Sequence, residues 1–597
     1  MASDAIRDRN DTITVSSEDG EIVELMSTRE DLQETYSTLR DGIPENWTLP
    51  FSADMISMWD VVQHTRALHL YPYVSTVFDH LGVVQLSLAA QEHQTAWIEH
   101  MLDILAKYRI LGDTTPLGGG KTYMHCLLAQ MLQTPMLVIC PANVIPVWEV
   151  MRVTVPSLTV LSYDKLRSKR KGVDGTRELK HGLLHRTDTT ETYTKDNGEK
   201  VEVHHCEFSA TDKLVGMCAS GLMVVIDEVQ GIKNRSGQQR ACREVIRTAR
   251  SSPNAFVTLL SGSPFDKVEH VTNLMMSMGI IKDTMLIQSH FGKNVKYLGL
   301  QEMIYECKKI DPIMTNATIR AMPQAKARDD ADKIVYKLYN RVIKPALVGG
   351  APRPKIDYKQ YVSNTSFVFS DEDAIRYAAA LTDLRHAVNT DRDTGRVISV
   401  EFTTMASALA RMEAYACPSV VKDATARLRR VQSSQVIIFC TYLETYKILE
   451  ADFKKQGFRV SILNGEVSMQ KRTEVIAAFQ VGDIDVLVAG VKVGGVGLSL
   501  HDRRGGHSRF SYIFPTWEAI PMYQCTGRTY RPGTLSDTWI DFVYCAQFPA
   551  VKVIDAMHKK SKVIRKSLAN PDAARIRLPG EFPEVKRIAG SERVIQG

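Results

Sequence analysis

Six short, almost wholly apolar runs constrain this sequence most, because each is followed by a stretch with helical periodicity. The runs lie at 136–140, 222–226, 256–260, 436–439, 460–463 and 486–489. Fully apolar strands of this length are typical of parallel sheets that helices cover on both faces. A long, mainly helical region at 266–431 separates the first three runs from the last three. The pattern therefore predicts two α/β lobes with helical material between them.

Length and composition indicate the class of protein. At 597 residues the chain is too long for one core, so several domains are expected. Its 44% hydrophobic and 24% charged residues are typical of a globular protein. No apolar stretch approaches the ~18 residues of a membrane span, and residues 1–10 form no secretory signal. The ten scattered cysteines include no Cys-x-x-Cys pair, so we expect reduced thiols in an intracellular protein, whether in nucleus, cytoplasm or virion.

We divide the chain into four segments. They are an N-terminal extension at 1–80, a first lobe at 81–345, a second lobe at 346–550 and a basic tail at 551–597. Asn197-Gly198 between alternating segments indicates a β-hairpin inserted in the first lobe, which also carries helical insertions. From Lys552 onward there are eleven Lys/Arg against five Asp/Glu, which suits a polyanionic partner. A solvated tail fits the same composition.

A glycine-rich run before a predicted helix, residues 123–132, indicates a phosphate site. The run is Gly118-Gly119-Gly120-Lys121-Thr122. Glycines allow the backbone to wrap closely around phosphates, so that its amides and the helix N-terminus face the anion. Lys121 would reach the β and γ phosphates, and the Thr122 hydroxyl would ligate Mg²⁺. The strict P-loop pattern has glycine where this chain has Thr115, so a plain glycine-rich turn is the alternative.

Two carboxylates end the strand predicted at 222–226, at the edge where ligands bind in parallel sheets. Asp227 would hold Mg²⁺ through water, and Glu228 would orient or activate the attacking water. A helix N-cap is the alternative for either residue alone. Upstream, the amide of Gln94 can donate to and accept from an adenine edge, although it also suits an ordinary helix surface. The glycine-rich run and the carboxylates, in this order, predict an ATPase that uses Mg²⁺.

A series of short motifs, in order, resembles those of the Snf2-type superfamily 2 helicases and ATPases. The matching segments are 94–97, 118–122, 140–149, 162–164, 227–234, 260–264, 437–479, 494–500 and 515–533. The resemblance covers roughly residues 85–545. It implies an α/β fold of two RecA-like P-loop lobes, each a parallel sheet flanked by helices, with helical insertions and an N-terminal extension. Compact lobes and plain tails also suit a viral or plasmid-encoded member.

The resemblance also implies roles in the second lobe and on nucleic acid. Arg528 and Arg531 would act as arginine fingers, because guanidinium is permanently charged and matches phosphate oxygens. They lie three residues apart, so on a short helix both can face the same way. Gly497 would lie against the nucleotide. Nucleic acid would cross both lobes opposite the ATP, held mainly by its phosphates and therefore with little sequence preference. The residues implied to contact it are Asn143, Asn464, Gly465 and Lys492.

The chain departs from the family pattern near its phosphate site. Thr115 and Pro116 stand where the family has acidic residues before the P-loop glycines. Gln230 replaces the histidine that follows the paired carboxylates, and Lys267 replaces an asparagine. None of these changes removes the P-loop lysine, the carboxylates or the two arginines, so we expect ATP hydrolysis.

Three functional hypotheses follow from these residues. The first is a translocase that moves along duplex DNA and serves remodelling or transcription, as the Snf2-type resemblance implies. The second is a helicase that separates strands of DNA or RNA. The third is a non-catalytic scaffold, and the presence of Lys121, Glu228 and Arg531 argues against it. Nucleic acid, most simply duplex DNA, is the expected partner; the sequence identifies no protein partner and no membrane contact.

Overall fold

The computed structural model describes residues 90–545 apart from short gaps, four strands before residue 90, and residues 560, 562–566 and 568. The gaps are 156, 168–180, 195–199, 283–287, 292–293, 323–327, 364–365, 368, 391–396, 432, 495–497 and 517. Most of the N-terminal extension and most of the basic tail therefore lie outside the described residues. Within the described part of the chain, no helix is both long and apolar enough to cross a membrane.

The described residues form two compact units, the first ending at Arg353 and the second beginning at Pro354. Each unit contains a six-stranded parallel sheet flanked by helices, so the predicted α/β class is confirmed. The limits that the sequence analysis gave for the four segments stay a prediction.

The strands of the first unit include the parallel sheet and several two-stranded pairs. They are β1 (Thr12–Ser16), β2 (Ile22–Met26), β3 (Val74–Phe78), β4 (Val84–Leu88), β5 (Ile110–Asp113), β6 (Met136–Cys140), β7 (Leu158–Ser162), β8 (Leu184–Thr194), β9 (Lys200–Ala210), β10 (Leu222–Asp227), β11 (Ala255–Leu260), β12 (Gln288–Phe291), β13 (Asn294–Tyr297) and β14 (Val348–Gly349). The parallel sheet has the order β14-β5-β11-β10-β6-β7.

The helices of the first unit connect these strands and build its insertions. They are α1 (Glu92–Tyr108), α2 (Lys121–Met131), α3 (Ile145–Glu149), α4 (Tyr163–Arg167), α5 (Asp212–Ser220), α6 (Gly237–Ser251), α7 (Val268–Ser277), α8 (Leu298–Ile310), α9 (Pro312–Arg320), α10 (Arg328–Leu338) and α11 (Lys344–Leu347). Strands β8 and β9 pair antiparallel, as the hairpin signal indicates, and the Asn197-Gly198 turn itself lies outside the described residues.

The second unit repeats the same architecture. Its strands are β15 (Gln360–Ser363), β16 (Ser366–Phe367), β17 (Val388–Thr390), β18 (Val397–Val400), β19 (Gln435–Cys440), β20 (Val460–Leu463), β21 (Val486–Gly490), β22 (Arg509–Ile513), β23 (Thr538–Phe542) and β24 (Tyr544–Cys545). Its helices are α12 (Asp371–Ala387), α13 (Phe402–Arg430), α14 (Leu443–Lys455), α15 (Met469–Val481), α16 (Val491–Gly494) and α17 (Ala519–Thr526). The parallel sheet has the order β15-β23-β22-β19-β21-β20.

Burial explains why four of the six apolar runs become strands. Every residue of β6, β10, β19 and β21 is buried, as expected for strands covered on both faces. Helix α1 buries Trp97, Ile98, Met101, Ile104 and Leu105, which recur at the spacing of one helical face. The six predicted strands are confirmed to within one residue at either end.

The register of the first sheet brings the phosphate-site segments to one edge. Asp227 at the end of β10 is level with Leu260 of β11, and Leu260 is level with Asp113 of β5. The loop after Asp113 leads into the glycine-rich run, and Leu260 precedes Ser261. Because the carboxyl ends of parallel strands share one edge, residues distant in sequence form one site there.

Candidate functional site

The glycine-rich loop has the backbone shape of an anion cradle. Gly118 and Gly120 have φ values of 81° and 83°, a region that favours glycine. A Cβ at Gly119 would collide with Thr115 Cγ2 and lie 3.2 Å from the Pro116 carbonyl oxygen. Helix α2 begins directly after Gly120, which places the amides of its first turn at the loop. The predicted helix is confirmed, although it begins two residues earlier than expected.

The lysine of the loop lies across the loop's own backbone. Lys121 Nζ donates to the Thr115 carbonyl at 2.6 Å and to the Pro116 carbonyl at 3.4 Å. An ammonium in this position is the group that phosphate oxygens would attract away from the two carbonyls. Thr122 follows it in the first turn of α2, where its hydroxyl was predicted to ligate Mg²⁺.

Gln94 contacts the loop from helix α1. It is 1% exposed, and its Nε2 donates to the Gly119 carbonyl at 3.0 Å. Its Oε1 accepts the backbone N–H of Gln91, also at 3.0 Å, which closes the N-terminus of α1. The amide therefore ties the start of α1 to the phosphate loop. The amide has a second donor and a second lone pair, with which it could contact adenine. That predicted contact stays a prediction.

Both oxygens of the Asp227 carboxylate are held by the protein. Trp148 Nε1 donates to Oδ2 at 2.8 Å, and the Glu228 backbone N–H donates to Oδ1 at 2.9 Å. Burial raises the pKa of Asp227, and the nearby charge of Glu228 acts in the same direction, while Trp148 and Lys121 oppose the rise. A divalent cation favours the ionised form of such a group.

The next residue, Glu228, has a left-handed backbone with φ 55° and ψ 56°. This conformation is uncommon for a residue with a side chain and costs of order 1–3 kcal/mol, so surrounding contacts must hold it. Gln230 Nε2 donates to Glu228 Oε2 at 2.5 Å, and Ser261 Oγ donates to Gln230 Oε1 at 2.6 Å. A chain of side chains thus joins the end of β11 to the carboxylate.

The donor set of the first unit fits ATP with Mg²⁺. The loop, in which a Cβ at Gly119 would collide and Gly118 and Gly120 have positive φ, lies beside a helix N-terminus, which is the arrangement that binds phosphate. At the same sheet edge, Asp227 offers a buried carboxylate, and oxygen ligands of this kind are those that Mg²⁺ prefers. Thr122 and Asp227 are the residues that would hold the ion.

The two arginines of the second unit differ in exposure. Arg528 is 2% exposed, and its Nη1 donates to the Leu498 carbonyl at 3.3 Å. Arg531 is half-buried, with Nε donating to the Gly527 carbonyl at 3.0 Å and Nη1 to Ser499 Oγ at 2.9 Å. Helix α17 ends at Thr526, so the expectation that both arginines lie on one short helix is wrong. Gly527, its cap, begins the loop that carries them.

Gly497 lies outside the described residues. Its neighbours Leu498 and Ser499 accept hydrogen bonds from Arg528 and Arg531 respectively. The segment predicted to approach the nucleotide is therefore adjacent in sequence to residues that contact both arginines.

Two of the predicted nucleic-acid contacts follow strand β20. The Asn464 side chain accepts the Glu466 backbone N–H at 3.0 Å, which shapes a tight turn. Arg472 Nη2 donates to the Asn464 carbonyl at 3.0 Å and to the Gly465 carbonyl at 3.5 Å. Gly465 is exposed, and a Cβ there would meet nothing within 4 Å. This stretch of backbone is open to a large partner.

The other two predicted contacts also follow strand ends. Asn143 lies in the single helical turn Ala142–Val144 after β6. Lys492 lies in α16 directly after β21, and 67% of its side chain is exposed. Its Nζ forms an ion pair with Glu518 Oε1 at 3.1 Å. A phosphate at this place would compete with the Glu518 carboxylate for the ammonium.

Several residues that shape the site were not predicted as site residues. Trp148 was part of a matching motif, but no sequence signal indicated its bond to Asp227. Tyr163 OH donates to the Asp227 carbonyl at 2.7 Å from a buried position. Gln230 was noted only as a departure from the family. The signal that could have found Gln230 and Ser261 is that they stand three residues and one residue, respectively, beyond the end of a parallel strand.

Comparisons with known proteins find helicase-like relatives of this chain. Residues 419–533 match the helicase conserved C-terminal domain family. An Acanthamoeba polyphaga mimivirus protein, provisionally named an ATP-dependent RNA helicase, is 22% identical over 499 residues, which are 81% of this chain and 82% of that protein. The Homo sapiens helicase-like transcription factor is 29% identical over 145 residues, which are 24% of this chain and 13% of that protein.

A solved structure, the Sulfolobus solfataricus SWI2/SNF2 ATPase core in complex with dsDNA, is 16% identical and aligns with a TM-score of 0.26. The alignment covers 80% of this chain and 97% of that chain. The family match and the mimivirus relative support an ATP-hydrolysing, helicase-like nucleic-acid enzyme, and the ordered motifs resemble those of the Snf2-type branch of superfamily 2.

Proposed function

We propose that this protein is an ATP-driven motor that moves along duplex DNA, for remodelling of bound proteins or for transcription-related work. One observation carries the ATP-hydrolysing part of the proposal. The glycine-rich loop follows β5 and the Asp227-Glu228 pair follows β10, so both lie at the same edge of one parallel sheet. Side-chain hydrogen bonds hold both carboxylates in place.

In this proposal the first unit binds and orients ATP. Lys121 and the amides at the start of α2 hold the phosphates, and Thr122 and Asp227 hold Mg²⁺. The bound ion supplies neutralisation of phosphate charge. Glu228 accepts a hydrogen bond from the attacking water and takes up its proton. Gln230 supports this role because its amide donates to Glu228 Oε2 and so fixes the direction of the carboxylate.

In this proposal the second unit supplies the positive charge of an arginine finger. Arg531 is the better candidate for an arginine finger, since it is half-buried and its guanidinium donates to a hydroxyl and to a backbone carbonyl. Arg528 is buried under the segment that begins at Leu498, so we assign it chiefly to holding that segment and the Arg531 loop. Both assignments are proposals.

Nucleic acid would contact the exposed turn after β20 and the Lys492 side chain. A glycine that leaves the backbone open and an exposed ammonium both suit phosphate oxygens, which carry no sequence information. Asn143 would contribute from the first unit. This mode of binding predicts a motor with little preference for base sequence.

A strand-separating helicase is the second candidate. The mimivirus relative that aligns with 81% of this chain is named an RNA helicase, which favours this reading for RNA. The Snf2-type motif order favours a motor on duplex DNA that does not separate strands.

Triplex displacement measured beside fork unwinding distinguishes the two. A translocase should release a third strand from duplex DNA when ATP is present, while leaving forked DNA and forked RNA intact. Glu228→Gln should abolish the release. Unwinding of either fork without triplex release would contradict the duplex-translocase proposal and support the helicase.

A further inference from the structure

Thr115 stands where the strict P-loop pattern has glycine, and all of its backbone and side-chain polar groups are engaged. Its N–H donates to Asp113 Oδ1 at 2.7 Å. Its carbonyl accepts from Lys121 Nζ at 2.6 Å. Its Oγ1 accepts the backbone N–H of Ala351 at 2.9 Å. The residue is fully buried, so these three bonds form without competition from bulk water.

The third bond joins the phosphate loop to the end of the first unit. We call residues 350–354, Gly350-Ala351-Pro352-Arg353-Pro354, the connector, because the second unit begins at Pro354. Strand β14 immediately precedes the connector and pairs with β5, which immediately precedes the phosphate loop. The loop and the connector therefore leave the sheet side by side.

Close packing reinforces this junction. The N–H and Oγ1 of Thr114 both donate to the Gly349 carbonyl, at 2.8 Å and 2.9 Å. A Cβ on Gly350 would lie 2.7 Å from the Thr115 backbone nitrogen, and a Cβ on Gly349 would collide with the Trp97 ring. With so little space, a shift of Thr115 cannot be absorbed at Gly350 and must move the connector.

The composition of the connector favours transmission of such a shift. Pro352 and Pro354 fix their own φ angles and restrict the residues before them to extended conformations. A segment with two prolines in its last three residues is stiff, so a displacement at Ala351 reaches Pro354 with little loss.

We propose that Thr115 is a positioning residue that couples the state of Lys121 to the connector. Phosphate would draw Lys121 Nζ away from the Thr115 carbonyl, but the contacts of the whole loop with the anion would order the loop more than the lost bond loosens it. Thr115 is then more rigidly held. The bond from Ala351 N–H to Thr115 Oγ1 then opens less often, and the connector is held in one position. This inference rests on the proposed ATP site, and it assigns to Thr115 the coupling of ATP binding to the segment that leads to the second unit.

The Ala351 amide itself is the probe, because its exchange with solvent requires opening of that bond. Hydrogen exchange of the full-length protein, read by mass spectrometry on peptides covering residues 347–353, should slow on adding Mg²⁺ and a non-hydrolysable ATP analogue. We expect a slowing of about fivefold at Ala351 in the unaltered chain, the scale of one hydrogen bond. Thr115→Val keeps the shape and removes the acceptor, so exchange there should be fast with and without the analogue. Thr115→Ser retains the acceptor and should restore the slowing.

A second pair of variants tests the packing without removing a polar group. Gly350→Ala adds a methyl against the Thr115 nitrogen and should weaken binding of a fluorescent ATP analogue by about tenfold. Gly216→Ala, in α5, is the matched control, since a Cβ there would meet nothing within 4 Å. It should leave the affinity within about twofold.

The possible outcomes separate the two proposals. If the analogue binds but Ala351 exchange is unchanged, or if Thr115→Val shows the same slowing as the unaltered chain, the coupling is overturned and the ATP site stands. Equal affinities for Gly350→Ala and Gly216→Ala would also overturn the coupling. If the unaltered chain does not bind the analogue, the ATP site fails and the coupling fails with it.

Discussion

Glu228 illustrates how single residues in this protein depend on their neighbours. Its left-handed backbone is unfavourable for a side chain, and it follows a fully buried strand directly. The bond from Gln230, itself held by Ser261, fixes the carboxylate. Glutamine at this position supplies the amide donor. The geometry favours a carboxylate that points in one direction before substrate arrives.

Replacing Glu228 by Gln should separate binding from hydrolysis. The side chain keeps its size but loses the capacity to take a proton, so ATP turnover should fall on the order of 10²–10⁴-fold. Affinity for a fluorescent ATP analogue should stay within a few-fold. Glu306→Gln, at a half-buried position on α8 that pairs with Lys309, is a matched control that should leave both unchanged. Loss of nucleotide binding in Glu228→Gln would mean that Glu228 is structural.

Arg531→Ala should act mainly on turnover. An arginine finger contributes on the order of 10³–10⁵ in rate, because its charge is felt mostly in the transition state. Nucleotide and DNA affinity should change much less. Arg459→Ala removes a surface ion pair with Asp485 from the same unit and serves as the control. Turnover within a few-fold of the unaltered chain would contradict the role in catalysis, since surface pairs contribute under ~1 kcal/mol.

Single residues were predictable where a motif fixes both type and spacing. Lys121, Asp227 and Glu228 lie at the expected sheet edge for that reason. Trp148 and Tyr163 were not predictable as partners of Asp227, because their bonds depend on how α3 and α4 fold back over the sheet. Apolar periodicity does not encode such long-range polar contacts.

At the scale of elements, the apolar runs were sufficient to locate the core strands, since a fully buried strand leaves a continuous apolar signature. Loops were harder. The sequence suggested that Arg528 and Arg531 share a helix, yet α17 ends at Thr526 and the arginines bond to the segment after α16 instead. The short, turn-like region after Gly527 carries no periodic pattern that would have indicated this.

One buried carboxyl links three elements of the second unit. Glu413 on α13 accepts the backbone N–H groups of Thr441 and Tyr442 and the hydroxyl of Thr445, at 3.0–3.2 Å. It thus joins the end of β19 to the start of α14. Burial raises the pKa of Glu413 from 4.5 to about 7, although these hydrogen bonds act in the opposite direction.

This carboxyl should make stability depend on pH. A carboxyl whose pKa is higher in the folded state binds its proton more tightly there, so its contribution is full below pH 4.5 and is lost as pH rises through about 7. We expect the free energy of unfolding to fall by roughly 3 kcal/mol from this group across that window. Urea unfolding at several pH values should show that the free energy of unfolding changes less with pH in Glu413→Gln than in the unaltered chain. An identical pH dependence in both proteins would contradict the assignment.

At the scale of the whole molecule, the proposed motor holds nucleic acid through its phosphates. Affinity for duplex DNA should therefore fall steeply with salt, because each neutralised phosphate releases counterions. Lys492→Ala should reduce the slope of log affinity against log salt by about one. Lys454→Ala, an exposed ion-paired lysine on α14, should leave the slope unchanged. An affinity independent of salt would contradict phosphate-based binding.

The most direct test is ATP turnover measured without nucleic acid and with saturating duplex DNA, single-stranded DNA or RNA. The account predicts that duplex DNA raises turnover at least about tenfold, and more than the other two. Lys121→Ala should abolish turnover under every condition, while Lys309→Ala, an exposed lysine paired with Glu306, should behave as the unaltered chain. If none of the three nucleic acids changes the rate of ATP turnover, or if Lys121→Ala still turns over ATP, the central claim of a nucleic-acid-dependent ATPase is contradicted.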